Sequence, residues 1–136
     1  MNSGLESVKR MFRAIESGDL TDADDYISPA YLNRESINDE RSETRGAEEF
    51  KETARWLRES FSNLRFEDSD IIACADRVVV VTDMCGIQTG AFLGITATNR
   101  NFRQRQVHIF RVDAQSKVSE HLAVRDDLGL RRQLVS

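Results

Sequence analysis

Residues 107–130 read VHIFRVDAQSKVSEHLAVRDDLGL, a stretch that holds both histidines of the chain, His108 and His121, and the adjacent pair Asp126-Asp127. Imidazole and carboxylate are the side chains best suited to moving protons near neutral pH. A carboxyl group lifted out of water is raised toward that range. These residues either line a cavity where proton transfer takes place or dress the rim of a sheet.

Their placement depends on strand parity. The turn residues Asp113-Ala114-Gln115-Ser116 separate two runs of strand character, 102–112 and 118–125. Side chains alternate faces along a strand, so Phe102, Gln104, Gln106, His108, Phe110 and Val112 share one side. Val118, Glu120, Leu122, Val124 and Asp126 share one side of the next strand. Pairing Val112 with Val118 joins the two sets on one mostly apolar face that carries a carboxylate, an imidazole and two amides. A slip of one residue would send Asp126 to the other side. On this register His121 lies on the opposite face with Ser119, Ala123 and Arg125, as a solvated or interface residue. Asp127 also turns outward, its charge suited to the first turn of a closing helix. The plainer reading of the same spacing is that Asp126 caps that helix and His108 is a satisfied core histidine.

The elements that would position these residues follow from periodicity. Ser3-Gly4-Leu5-Glu6 has the form of a capping box, and Leu5, Val8, Met11, Phe12 and Ile15 recur at helical spacing up to Gly18. A second short helix fits 21–27, and a third carries Phe50, Ala54, Leu57 and Phe61 on one face. Residues 31–46 read as a long polar loop. After Asn63 the period becomes strand-like, over 64–75 and 77–85 with a turn at Ala75-Asp76. Gly86, Gly90 and Gly94 punctuate a segment whose geometry the sequence leaves open. Leu128, Leu130 and Leu134 predict a short closing helix. Helices first and an antiparallel sheet afterwards is an α+β layout, with the helices on one face of the sheet.

The chain of 136 residues fits a single domain spanning 1–136. A net charge of −4 with no basic block argues against nucleic acid as a partner. The amino terminus has no apolar run of signal-peptide length, and VVVV at 78–81 is too short to cross a bilayer. Cys74 and Cys85 have no metal-ligand spacing, and reduced thiols in a cytoplasmic protein are expected.

Taken together, Gly90-Ala91-Phe92-Leu93-Gly94-Ile95, His108-Ile109-Phe110-Arg111-Val112, the run Glu120-His121-Leu122-Ala123-Val124-Arg125-Asp126-Asp127-Leu128-Gly129 and the closing Arg132-Gln133-Leu134 resemble the SnoaL-like polyketide cyclase family. Its members are also called ester cyclases, within the nuclear transport factor 2-like superfamily. The resemblance covers roughly residues 10–134. It implies a cone in which a curved mixed, mostly antiparallel sheet wraps against three amino-terminal helices and encloses a pocket. It also implies ring closure of a polyketide by intramolecular aldol condensation without metal or organic cofactor, with the family's acid/base aspartate matched by Asp126 and its pocket histidine by His108. Three positions depart from the family pattern and bear on the substrate: Leu122 replaces a usual tryptophan, Arg34 follows Tyr31-Leu32-Asn33 where histidine is frequent, and Thr96-Ala97-Thr98-Asn99 replaces a Pro-Thr-Gly segment.

The resulting expectation is an acid/base enzyme acting on a hydrophobic carbonyl compound, most readily a cyclase. Asp126 and His108 are its catalytic candidates. Phe102, Gln104, Gln106, Phe110, Leu122, Val124 and Trp56 are expected to line the pocket. A non-catalytic binding or assembly module on the same fold, and an epoxide hydrolase or ketosteroid isomerase-like enzyme, are the alternatives. A homodimer through the convex sheet face is expected from Val107 and Ile109 set among Arg103, Arg105 and Arg111, and from the superfamily's habit.

Overall fold

The computed structural model describes residues 3–35 and 44–135. Helix α1 (Ser3–Ser17) buries Val8, Met11 and Ala14, and ends where Gly18, at φ +81°, donates its N–H to the Ala14 carbonyl (2.8 Å). One turn of helix, α2 (Ala23–Tyr26), leads directly into strand β1 (Ile27–Asn33). Helix α3 (Ala47–Ser60) buries Ala47, Phe50, Ala54 and Leu57 on one face. Strands β2 (Phe61–Cys74), β3 (Arg77–Gln88), β4 (Asn101–Val112) and β5 (Val118–Arg125) follow, and α4 (Asp127–Val135) closes the chain.

The strands form one mixed five-stranded sheet in the order β1-β5-β4-β3-β2, with β1 parallel to β5 and the other neighbours antiparallel. The layout is α+β, as expected. Strand β1 was not expected: its residues were assigned to the end of the second helix and the start of a polar loop. Ile27 and Tyr31 are almost fully buried, and tertiary burial outweighs the local turn signal of Pro29. That proline is tolerable because β1 is an edge strand and Pro29 is exposed. Residues 36–43 of the expected loop, and the Ser3 side chain of the expected capping box, lie outside the described residues.

Two apolar clusters lie between sheet and helices. One gathers Val8, Met11, Tyr31, Phe50, Val80 and Phe110 around α1, and the other gathers Leu57, Phe61, Met84, Phe92, Phe102 and Leu134 toward α4. The glycine segment is pinned by buried Gln88, whose Nε2 donates to the Ile95 carbonyl (3.0 Å) while its Oε1 accepts from Thr98 N and Oγ1. Gly90 passes so close to α3 that a Cβ there would stand 2.1 Å from the Glu59 carbonyl oxygen, so only glycine fits.

The decisive detail is in the β4–β5 hairpin. Val112 does pair with Val118, but the next pair is Arg111 with Glu120, leaving Ser119 as an extra residue on β5. Such a bulge inverts the parity of everything after it. The Ser119 hydroxyl donates to the Arg111 carbonyl (3.2 Å) across the irregularity. The expected face is therefore corrected from residue 120 onward. His121 (7% exposed) and Ala123 (8%) turn inward, whereas Leu122 (41%) and Val124 (71%) turn outward.

Candidate active site

Two connected spaces open between the sheet's inner face, β1 and α3. The outer one has a volume of about 490 Å³ and is lined by Trp56, Phe92, Gln104, Ala123, Arg125 and Asp127, among others. Its size lies within the range typical of small-molecule sites. A narrower extension of about 40 Å³ runs inward past Phe12, Gln106, His108, Phe110 and His121. Asn33, Glu35, Thr53, Leu57, Met84 and Arg125 border both.

A continuous line of polar side chains crosses this inner face. Gln104 Nε2 donates to Asp127 Oδ1 (3.0 Å), and Gln106 Nε2 donates to Gln104 Oε1 (2.9 Å) and to the Met84 sulfur (3.5 Å). His108 Nε2 meets Gln106 Oε1 at 2.7 Å, and His108 Nδ1 meets His121 Nε2 at 2.8 Å. His121 Nδ1 ends the line against Asn33 Oδ1 at 3.0 Å. Gln104, Gln106 and both imidazoles are buried, so the contacts meet the requirement that buried polar groups be partnered.

The charged residues of the cavity are mostly acidic. Among the described residues, Glu35, Glu49, Glu52 and Asp127 line the outer space against a single cation, Arg125. Arg125 pairs with Glu35, whose other oxygen stands 3.9 Å from His121 Nδ1. Burial lowers Arg125 to about 10 and raises the Tyr31 hydroxyl well above its ordinary value, with Glu49 adding to the effect. Burial by itself would lower His108 to about 4. It would also take His121 well below the usual imidazole value, and repulsion from His108 acts the same way.

Of the residues chosen from sequence, His108, Gln106 and Phe110 border the inner space, and Gln104 and Trp56 the outer one. Phe102 is instead buried in the core, its ring 4.6 Å from that of Phe61. Leu122 and Val124 lie on the outer face, because the bulge has turned them away. Asp126 is exposed and caps α4: its Oδ1 accepts from the Gly129 N–H (2.8 Å) and its carbonyl from the Leu130 N–H (3.1 Å). Its neighbour Asp127, expected to point outward, is the carboxylate at the mouth of the cavity. Sequence reasoning missed His121, Arg125, Asn33 and Glu35 as site residues. The first two would have been found by placing the bulge, and the other two by recognising β1 as a strand.

A family model, the SnoaL-like polyketide cyclase, matches residues 6–134. The chain belongs to this family. It is 31% identical over 135 residues to the aklanonic acid methyl ester cyclase AcmA of Streptomyces galilaeus, covering 98% of this chain and 92% of that one. It is 31% identical over 125 residues to the nogalonic acid methyl ester cyclase of Streptomyces nogalater, covering 91% of each. Among solved structures, TsrD from Streptomyces laurentii superposes with a TM-score of 0.85 at 26% identity, covering 98% of this chain and 95% of that one. IdmH from Streptomyces antibioticus shares the fold, with a TM-score of 0.82 at 20% identity over 98% of this chain and 99% of that one. These relatives place the SnoaL-like chain among polyketide cyclase-like enzymes. No helix among the described residues is long and apolar enough to cross a membrane.

Proposed function

We propose that this protein closes a ring of a hydrophobic polyketide by intramolecular aldol condensation, as a one-domain cytoplasmic enzyme using side-chain acid/base chemistry and no cofactor. The observation that carries the reading is a cavity with an apolar wall of Trp56, Leu57, Met84 and Phe92, carboxylates opposite that wall with Asp127 at the mouth, and two imidazoles at the floor. The apolar wall suits a polyketide's carbon skeleton, and the polar groups facing it suit its carbonyls and hydroxyls. Asp127, rather than Asp126, is our acid/base candidate, since it borders the cavity and is oriented by Gln104. It removes a proton from carbon between carbonyls, the enolate carbon attacks a second carbonyl, and the resulting alkoxide takes a proton back. The product is an isomer of the substrate, with one C–C bond formed. Conjugation spreads the enolate charge over the substrate, which lessens the need for a strong oxyanion hole.

The test is incubation with aklanonic acid methyl ester and nogalonic acid methyl ester, followed by chromatography and mass spectrometry, with and without a chelator. A chelator-insensitive product of unchanged mass and altered retention is expected from at least one polyketide ester. If neither these nor other aromatic polyketide esters are turned over, yet they bind, the non-catalytic binding module becomes the better reading. A second reading rests on one observation: Arg125 borders the same cavity as Glu35 and Asp127, so a cation and two carboxylates could reach one water, the arrangement an epoxide hydrolase needs. Diol formation from a bulky epoxide by the same protein would favour it.

We further infer that two copies pair through the outer sheet face. Leu122 and Val124 are exposed there, and Val107 and Ile109 half-buried, beside Arg103, Arg105 and Arg111. This mixture of apolar and arginine surface is common at interfaces.

A further inference from the structure

We propose that His108 and His121 share three ring protons rather than two, so that the floor of the cavity is a single delocalised cation. The argument begins from the two ends of the polar line, where donor and acceptor roles are unambiguous. An ionised carboxylate only accepts, so Gln104 must turn its amide nitrogen to Asp127 and its oxygen to Gln106. Gln106 then has its nitrogen committed to Gln104 and Met84, and its oxygen faces His108 Nε2 at 2.7 Å. That ring nitrogen must carry a proton.

At the other end, the backbone N–H of Glu35 donates to Asn33 Oδ1 (3.1 Å), while Asn33 Nδ2 points to Glu49 Oε1 (3.5 Å). Inverting the amide would set donor against donor at one contact and acceptor against acceptor at the other. Asn33 Oδ1 is therefore the atom facing His121 Nδ1 at 3.0 Å, and that nitrogen must carry a proton too. Between the rings, His108 Nδ1 and His121 Nε2 lie 2.8 Å apart, a separation that requires one proton between them. The total is three. Two neutral imidazoles hold two, and removing any one of the three leaves a pair of lone pairs facing each other in a buried site.

The surroundings oppose a second charge. Facing the pair are Glu35 beside β1, paired with Arg125 of β5, then Glu49 of α3 behind Asn33, and the Tyr31 hydroxyl of β1. Asp127 acts at a distance through the two amides. The Phe12 ring of α1 stands edge-on to His108 at 5.2 Å, and Phe110 lies 4.9 Å from His121. Burial weighs against any charge here, and repulsion between the rings forbids the second, so the pair stops at one.

For the reaction, and resting on the cyclase reading, this cation would stabilise the enolate that forms when Asp127 removes its proton. The ligand class favoured at the floor is therefore an enolate or another planar organic anion.

The deciding experiment is nitrogen NMR of the full chain labelled with ¹⁵N-histidine at about pH 7, which distinguishes protonated from bare ring nitrogens. Three protonated nitrogens, one of them shared, are expected. Two protonated nitrogens would overturn the proposal. Asn33→Leu removes the terminal acceptor and should reduce the count to two; persistence of three would overturn the polarity argument even if the wild type carried the extra proton. Stability gives the opposite signs for the two cases. A shared proton held above the ordinary imidazole value makes stability fall as pH rises through neutrality, whereas two neutral rings make it fall as pH drops below about 6.5. The proton count does not depend on turnover, so a failed cyclisation assay and a failed proton count are separate results.

Discussion

Strand β4 sends alternate residues to two different environments. Inward, Gln104, Gln106 and His108 form a buried line of amides and an imidazole closed by neighbours of matching polarity. Outward, Arg103 and Arg105 grip Asp83, whose oxygens accept from Arg103 Nε (2.8 Å) and Arg105 Nε (2.5 Å). Arg103 also reaches Glu67 (2.7 Å) and Asp68. The outer cluster is held by charge and is partly open to salt. The inner line is held by the direction of each donor, so its members depend on one another. A change at one inner position alters the hydrogen-bonding role of the next, while a change outside is met by water and counter-ions.

The sharpest break in this comparison is at the mouth of the cavity. Asp127→Asn should lower cyclisation turnover by at least about a hundredfold, the scale of losing a general acid or base, while Asp126→Asn should stay within a few-fold of wild type. The reverse result in a steady-state assay would return the acid/base role to Asp126. Next in size is Gln106→Leu, which leaves His108 Nε2 and Gln104 Oε1 without partners in a dry site. A loss of about 1–3 kcal/mol in urea unfolding is expected, the penalty for an unsatisfied buried polar group. Removing the helix cap with Asp126→Ala should cost about 1 kcal/mol and leave turnover per folded molecule intact.

On the outer face, Arg105 above all and then Arg103 hold the Asp83 carboxyl below its ordinary value of 3.8, against the opposing effect of burial. A depressed carboxyl stabilises the fold above its unfolded value, and that part is lost as pH falls below it. Asp83→Asn should therefore flatten the acid limb of a melting-temperature profile below about pH 4 and make the remaining stability less salt-dependent. The smallest expected effect on chemistry is from Val124→Arg. It should shift the mass measured by light scattering toward that of one chain while leaving the cavity residues in place. An unchanged mass above the monomer value would remove this face from consideration as the interface.

Much of the fold was legible because periodicity reports burial directly. Val8, Met11 and Ile15 predicted α1, the change of pattern after Asn63 predicted the long strands, and the residue types around His108 pointed to a polar site on an apolar face. The partner of His108 was not legible. Parity along β5 hinges on Ser119, an ordinary strand residue whose bulge is decided by the turn it adjoins and by the packing of His121 against Phe110. β1 was hidden for a related reason. A parallel edge strand containing Pro29 has no local signature, and its pairing with β5 exists only once the hairpin is built. The resemblance to a known family pointed to Asp126 by motif and order. Whether Asp126 or its neighbour reaches the cavity is a matter of three-dimensional placement.

The extra residue at Ser119 gives this hairpin something like a reading frame. Deleting Ser119 would leave His121 opposite Phe110. Pairing the same residues without the bulge would instead exchange the two faces of everything downstream, so that Leu122 and Val124 entered the cavity and His121 and Arg125 faced the solvent. Residue-by-residue conservation of chemistry would then coexist with complete loss of the site. The residue of β5 that stands opposite Phe110 therefore discriminates chains that share this cavity from those that merely share its residues.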